Sequence, residues 1–151
     1  MDENVVVQEA TVEDRIVLWD WRNDPATRKI YNGSPSVTYG QHRQWFDRIL
    51  GAENTVLCVG IVETLRIGCV RFDLRDDGEY EVYVHIKPHY CGRGLGRLLL
   101  KGAIDHLGKT RSVSKIHAHI KKANPSSGNL FRSTGFQVRE SEDELHCELS
   151  L

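Results

Sequence analysis

The sequence has almost no net charge, and this excludes a large class of partners. Its 151 residues carry 20 basic and 21 acidic side chains, a formal net charge of −1, and the isoelectric point is about 6.6. Proteins that bind a nucleic-acid backbone usually present a strongly basic face. The composition therefore predicts no nucleic-acid partner.

Long apolar runs are also missing. No stretch approaches the roughly 20 apolar residues that a membrane-spanning helix needs. The first residues, Met1-Asp2-Glu3-Asn4, are acidic where a secretory signal is positive. We therefore expect a soluble, cytoplasmic protein without a membrane partner. The length fits one domain over residues 1–151.

Cysteine and histidine spacings match no known site. The cysteines form no C-x-x-C pair, so reduced thiols are expected. His117 and His119 would share one face of a strand, but the spacing fixes no third ligand and the sequence contains no H-E-x-x-H motif. We expect no metal. The cysteines are Cys58, Cys69, Cys91 and Cys147.

Apolar periodicity and turn residues predict a mixed α/β (α+β) fold. Its central sheet of about seven strands is mainly antiparallel and is flanked by helices. The predicted strands are 5–7, 55–62, 67–74, 79–87, 115–121, 136–139 and 144–149. The predicted helices are one that follows the Thr11–Asp14 capping signal and ends near Asn23, then 25–31, 38–51, 97–107 (ended by Gly108) and 125–134 (ended by Gly135).

A glycine-rich loop joins the fourth predicted strand to a helix. Such a loop gathers unpaired backbone N–H groups and the positive end of the helix dipole, which together bind phosphate. A plain tight turn is the alternative. The sequence contains no Walker motif, and the glycine spacing fits a dinucleotide fingerprint badly. The loop reads Cys91-Gly92-Arg93-Gly94-Leu95-Gly96-Arg97.

Two motifs resemble the GNAT superfamily of acyl-CoA-dependent N-acetyltransferases. One is Ile86-Lys87-Pro88-His89-Tyr90-Cys91-Gly92-Arg93-Gly94-Leu95-Gly96, which is similar to the cofactor motif (Arg/Gln)-x-x-Gly-x-(Gly/Ala). The other is Asn124, then Phe131, then Gly135-Phe136. The resemblance covers essentially the whole chain, and its specific part lies between about residues 85 and 136.

The resemblance implies the acyl-CoA N-acyltransferase fold and acetyl-CoA as co-substrate, with no metal. Loop 91–97 would then hold the pyrophosphate, and the backbone at His85, Ile86 and Lys87 would bind the pantetheine arm. Asn124 and Phe131 would lie beside the cofactor. The sequence departs from the family pattern at two positions: Cys91 replaces an arginine or glutamine, and Phe131 replaces a tyrosine that protonates the departing thiolate.

Transfer of an acetyl group to an amine needs the neutral amine. For a lysine-like group at pH 7, deprotonation alone costs about 4 to 5 kcal/mol, so a base is expected. Glu81 is the best-placed carboxylate, since it shares a strand face with Tyr83 and His85. His85 is a second candidate base, and Tyr90 is a candidate proton donor. A solvated Glu81 without a catalytic role is the alternative.

The N-terminal half resembles acetyltransferases of surface-glycan pathways, such as those leading to pseudaminic acid, which modify nucleotide-linked amino sugars. The resemblance implies such a sugar as the small-molecule amine acceptor. N-terminal acetylation of a ribosomal-type protein, a non-catalytic acyl-CoA-binding domain and a homodimer stay open. The matching residues are Trp19-Asp20-Trp21-Arg22-Asn23-Asp24-Pro25, Arg28, His42 and Trp45. The candidate acceptor ligands are Arg22, Asn23, Arg28, His42 and Ser127.

Overall fold

A seven-stranded sheet in the order β1-β2-β3-β4-β5-β7-β6 forms the centre of the molecule. The computed structural model describes residues 4–30 and 35–151. Neighbouring strands are antiparallel except for β4 and β5. The strands are β1 Val6–Glu9, β2 Thr55–Val62, β3 Leu65–Leu74, β4 Tyr80–Ile86, β5 Lys115–Lys121, β6 Gln137–Glu140 and β7 Glu144–Ser150.

Five α-helices are found among the described residues, and two short 3-10 turns, Val12–Asp14 and Pro88–Tyr90, precede α1 and α4. None of the described helices is long and apolar enough to cross a membrane. The helices are α1 Arg15–Asn23, α2 Pro25–Ile30, α3 Tyr39–Gly51, α4 Leu95–Thr110 and α5 Pro125–Ser133. The expected mixed sheet with flanking helices is therefore confirmed.

The two faces of the sheet pack against different helices. Alternate residues of a strand point to opposite faces, and in β2 Val56 and Cys58 join the larger core with α4, whereas Leu57 joins a smaller cluster with α1 and α3. Leu99 of α4 and Phe46 of α3 are fully buried at these two interfaces. Because helices cover both faces of the sheet, a ligand-binding site is expected at the ends of the strands.

The sheet separates between β4 and β5. Their parallel pairing is confined to Tyr80 with Ile116 and Glu81 with His117. Beyond Glu81, β4 continues for five residues and stays paired with β3 on its other side. The result is a wedge between β4 and β5 that opens at Glu81, in the position that the family resemblance implies.

Gly68 lets β3 approach β4 closely at this wedge. A Cβ atom at Gly68 would lie 2.4 Å from the carbonyl oxygen of His85 and 3.1 Å from a methyl group of Leu99. Real side chains do not tolerate such contacts, so only glycine fits without a shift of the β4 backbone. The sequence did not identify Gly68 as the residue that allows this close approach to the end of β4.

Several predicted boundaries differ from the structure. Strands 55–62 and 115–121 match, but α4 begins at Leu95 and runs through Gly108 to Thr110. Gly108 was wrongly expected to end the helix, since a helix tolerates an interior glycine at a modest cost. Ile16 of α1 and Leu98 of α4 are apolar but lie outside the core, 62% and 43% exposed. The predicted end of the second helix at Tyr31 lies outside the described residues.

Two glycine substitutions test this description. We expect Gly68→Ala to lower the free energy of unfolding by about 1–3 kcal/mol, because the methyl group overpacks against the β4 backbone. Gly108→Ala is the matched control: it lies on open helix surface with nothing within 4 Å of its Cβ position and should raise stability by about 0.5–1 kcal/mol. Urea unfolding followed by circular dichroism measures both, and equal midpoints would contradict the close approach.

Candidate functional site

The glycine loop ends in a helix start that carries no side-chain cap. Gly92 and Gly94 both have a φ of +77°, a left-handed conformation that glycine adopts without strain. Gly94 is also the N-cap of α4, and it contributes no side-chain hydrogen bond. The first backbone N–H groups of α4 are therefore available to an anion, and the helix dipole favours one there.

The side chains of the loop contribute unequally. Arg93 and Arg97 are exposed, and the Arg93 guanidinium lies 5.6 Å from the ring centre of Tyr90. Leu95 is only 1% exposed, so its side chain belongs to the core and only its backbone is free to meet a ligand. A Cβ at Gly96 would lie 3.4 Å from Ile86, which gives this glycine a packing role.

Along the wedge, His85 and Ile86 pair with β3 but have no ladder partner in β5. Binding of the pantetheine arm at residues 85–87 stays a prediction. Asn124 is the N-cap of α5, directly after β5. Phe131 is 4% exposed and packs edge-on against Phe136, with ring centres 5.0 Å apart. Its contact with a cofactor stays a prediction.

Glu81 occupies the point where the wedge opens. Nδ1 of His119, on β5, donates a hydrogen bond of 2.6 Å to Oε1 of Glu81. Oε2 of Glu81 is buried and has no hydrogen-bond partner among the described residues. A buried carboxylate oxygen without a donor is an acceptor for an incoming proton.

His119 was not recognised as a functional residue from the sequence. The strand alternation of 115–121 places His117 and His119 on one face, but only the parallel register, with Glu81 opposite His117, brings His119 to Glu81. The register between strands 38 residues apart is not encoded in local spacing. His119 is 44% exposed at its side chain, so it connects Glu81 to the solvent.

A cavity of about 470 Å³ lies between the sheet and helices α1 and α3, next to the wedge. Its aromatic walls include Trp21, Trp45 and Tyr83. The charged side chains among its lining residues are Arg22 and Arg71, and these lining residues include no carboxylate. The lining residues therefore carry a positive formal charge, which Asp73 offsets in part, since its Oδ1 lies 3.3 Å from Nε of Arg71.

Both arginines lie against aromatic rings. The Arg71 guanidinium is 4.4 Å from the ring centre of Tyr83 and 5.9 Å from that of Trp45, and the Arg22 guanidinium is 5.0 Å from Trp45. Burial, and then the charge of Arg71, lowers the pKa of Arg22, although a guanidinium stays protonated in proteins. Cation–π contacts hold the two charges side by side despite their repulsion.

Two histidines of the cavity are kept neutral. Burial lowers the pKa of His85, whose ring lies 5.8 Å from that of Trp21, although the charge of Asp24 acts in the opposite direction. Burial also lowers the pKa of His42, whose Nε2 lies 3.0 Å from the carbonyl oxygen of Arg15. Neither ring adds positive charge at neutral pH.

The predicted acceptor ligands divide into two groups. Arg22 and His42 line the cavity, whereas Arg28 and Ser127 are not among its lining residues. Asn23 is not among the lining residues, and its role as an acceptor ligand stays a prediction: its amide nitrogen donates to the carbonyl oxygen of Val37 (2.8 Å), and its amide oxygen accepts from the N–H of Val37 (2.7 Å). Asn23 therefore ties α1 to the segment before α3, which local sequence does not reveal.

Tyr90 is the predicted catalytic residue with the least structural support. It lies in the 3-10 turn before the loop, with its ring centre 5.1 Å from that of His89, and it is not among the lining residues of the cavity. Sequence reasoning also missed Arg71 as a cavity residue. The signal that could have found it is the pairing of Arg71 with Tyr83 across β3 and β4, which requires the hairpin register.

Comparisons with known proteins agree with this geometry. A curated spermidine N(1)-acetyltransferase of Vibrio cholerae is 27% identical over 78 residues, which are 52% of this chain and 42% of that protein. The matched part thus spans less than half of the length of that relative.

Two solved structures share the fold. A domain from Methanocaldococcus jannaschii superposes with a TM-score of 0.83 at 23% identity, over 99% of this chain and all of that one. The spermidine N-acetyltransferase of Vibrio cholerae in complex with CoA and spermine gives a TM-score of 0.86 at 16% identity, over 97% and 95% of the two chains. At these identities the likeness establishes the fold.

The family comparison goes further, because it rests on the sequence itself. The model of the acetyltransferase (GNAT) domain matches residues 4–137. This match covers the wedge, the glycine loop, the cavity and most of the sheet. The chain belongs to the GNAT acetyltransferase domain family.

Proposed function

We propose that the protein transfers the acetyl group of acetyl-CoA to the primary amine of a small acceptor that carries an anionic group. The observation that carries the proposal is the arrangement around Glu81. This carboxylate lies where β4 and β5 separate, its strand ends at the uncapped start of α4, and its strand neighbour Tyr83 lines the positive cavity.

In this proposal the backbone does most of the cofactor binding. The N–H groups at the start of α4 bind the pyrophosphate, with Arg93 and Arg97 at its edge. The edge of β4 at His85 and Ile86, which β5 does not cover, pairs with the amides of the pantetheine arm, as an added strand would. The replacement at Cys91 removes a side chain but leaves these backbone donors unchanged.

Glu81 would act as the general base. Its Oε2 accepts a proton from the acceptor ammonium, and the neutral amine attacks the thioester carbon. The C–N bond forms, the C–S bond breaks, the CoA thiolate leaves, and the new amide nitrogen gives up its remaining extra proton to water. Phe131 has no hydroxyl, so the thiolate takes its proton from water. His119 positions Glu81 through its bond to Oε1, and Oε2, which has no hydrogen-bond partner among the described residues, is left to meet the ammonium.

The charge of the cavity supports an acceptor with an anionic group. Arg22 and Arg71 can bind a phosphate or carboxylate with their outward N–H groups while their faces stay on the aromatic rings. A nucleotide-linked amino sugar fits this chemistry, since its diphosphate meets the arginines and its amine is less basic than lysine. A polycation such as spermine would meet two guanidinium groups, and the nearby carboxylate of Asp73 is already paired with Arg71.

The first prediction concerns the base. Glu81→Gln should lower kcat by about 10²–10⁴-fold, because the amine loses its proton acceptor, whereas the affinity for acetyl-CoA should stay unchanged. Release of free CoA measures the rate. Glu142→Gln, at an exposed position in the β6–β7 turn, is the control. A Glu81→Gln enzyme with wild-type kcat would remove Glu81 from the mechanism.

A second pair of variants examines His119. His119→Asn keeps an N–H group close to the position of Nδ1, whereas His119→Phe removes it. We expect His119→Phe to lower kcat with little change in KM, and His119→Asn to restore most of the rate. Equal loss in both variants would contradict a positioning hydrogen bond and would indicate a general effect on folding.

The third prediction uses Cys91 as a reporter of the cofactor. It is the exposed thiol of the four, whereas burial raises the pKa of Cys58 and Cys69 to about 12. Burial also raises the pKa of Cys91, so alkylation should be faster at pH 8.5 than at pH 7. Acetyl-CoA should slow the alkylation of Cys91, as measured by mass spectrometry.

Gly94→Glu provides the matched variant for this labelling. The carboxylate of the new side chain repels an anion. The left-handed conformation of residue 94 also strains the backbone of any residue other than glycine, which disturbs the loop. In that variant acetyl-CoA should no longer slow the alkylation of Cys91. Protection that persists in Gly94→Glu would place the cofactor elsewhere.

An acceptor panel distinguishes the candidate functions. Turnover with nucleotide-linked amino sugars, but not with spermidine, is expected, and Arg71→Gln should raise the KM for such a sugar by about 10–100-fold through loss of a charge-assisted contact. Turnover with N-terminal peptides alone would indicate a protein acetyltransferase. Tight acetyl-CoA binding without any turnover would indicate a binding domain.

A further inference from the structure

Three side chains of the types that bind metals converge on the neighbouring strands β5 and β7, and the proposed reaction uses none of them. His117 comes from β5, and His146 and Glu148 come from β7. Their nearest ligand atoms lie 3.0 Å apart (Nδ1 of His117 and Nε2 of His146), 3.6 Å apart (Nε2 of His146 and Oε1 of Glu148) and 3.8 Å apart (Nδ1 of His117 and Oε1 of Glu148). We propose that these residues bind a divalent transition-metal ion, with Zn²⁺ as the favoured ion.

The distances among the three atoms suit zinc. A point at the centre of this triangle lies roughly 2 Å from each atom, which is the length of Zn–N and Zn–O bonds. Two imidazole nitrogens and one carboxylate oxygen form a set that zinc accepts and that Mg²⁺ and Ca²⁺, which prefer oxygen ligands, do not favour. Three protein ligands leave a fourth position for water.

The sheet holds the ligands in place. His146 and Glu148 are two residues apart on one strand and therefore share a face. The antiparallel register sets Glu148 opposite His117, and the ladder between β5 and β7 is continuous from Lys115 to Lys121. His117 is 5% exposed, and its backbone is paired on both sides. A rigid platform of this kind reduces the ordering cost of metal binding.

A carboxylate behind His117 completes the arrangement. Oε2 of Glu79 lies 3.0 Å from Nε2 of His117. Since a carboxylate only accepts, His117 carries its proton on Nε2 and presents the lone pair of Nδ1 to the ion. Metal-bound histidines usually have such a second partner, which fixes the tautomer and the ring orientation.

Metal binding replaces contacts that exist without it. The facing nitrogens of His117 and His146 share one hydrogen bond, and Oε2 of Glu148 lies 3.7 Å from Nζ of Lys115. Ligation requires small tilts of the two rings and places the proton of His146 on Nδ1. His119 is not a fourth ligand, because its Nδ1 is bound to Glu81.

Titration of the metal-stripped full chain with Zn²⁺, in competition with a chromophoric indicator, tests the proposal. We expect one equivalent per chain, no competition from a large excess of Mg²⁺, and a higher melting temperature with zinc, because the ion links β5 to β7. His146→Ala should abolish stoichiometric binding, and Glu79→Gln should weaken it by about 10–100-fold. Co²⁺ should give the visible spectrum of a tetrahedral site.

His106→Ala is the matched control. His106 also pairs with a carboxylate, since its Nε2 lies 3.0 Å from Oε2 of Glu9, but no third metal-ligand residue joins this pair among the described residues. This variant should bind zinc as the wild type does. Circular dichroism establishes that His146→Ala is folded, and Glu148→Gln replaces it if it is not.

The proposal would be overturned if zinc bound weakly or without a defined stoichiometry. It would also be overturned if His146→Ala bound zinc as the wild type does. The measurement contains neither acetyl-CoA nor acceptor, so such a result leaves the proposed acetyl transfer untouched. Conversely, Glu81→Gln should bind zinc normally whether or not Glu81 is the base. The two proposals therefore fail separately.

Discussion

The separation of β4 from β5 is the constraint on which the rest of the site depends. Parallel pairing ends at Glu81 and His117, so the following backbone groups of β4 need other partners. The glycine loop and α4 begin at the end of the same strand. One interruption of the sheet therefore places an extended backbone edge, a helix start without a side-chain cap and the carboxylate of Glu81 in one region of the molecule.

Charge is distributed unevenly around this wedge. Carboxylates, represented by Glu79, Glu81 and Glu148, lie on the strands from β4 outward, whereas Arg22 and Arg71 line the cavity below α1 and α3. Aromatic rings hold the two guanidinium groups in an orientation that leaves their edges for a ligand. A shared fold does not by itself imply a shared acceptor.

Two networks of hydrogen-bonded side chains meet on one face of the sheet. One joins Glu81 to His119 and faces the wedge, and the other joins Glu79, His117 and His146. They touch where the rings of His119 and His146 stack, with centres 4.5 Å apart and nearly parallel planes. Adjacent strands of one sheet can thus carry two separate groups of polar side chains. The register of the strands determines which side chains lie opposite each other, and so which group each side chain joins.

Local sequence predicted the elements well. Strands 55–62 and 115–121 have the predicted bounds, because alternation and turn residues are local properties. The glycine loop was also correctly placed, since Gly92 and Gly94 adopt a conformation that few other residues tolerate. The end of α4 was missed because burial of Leu107 in the core continues the helix past Gly108.

Sequence alone determined the family, the order of the elements and the position of the glycine loop, because each depends on residues that are close together in the chain. Only the tertiary structure decided which side chains meet: His119 with Glu81, Arg71 with Tyr83, and Asn23 with Val37. These pairs lie on different strands or segments, and their contacts follow from the register and packing of the whole sheet, which no local pattern contains.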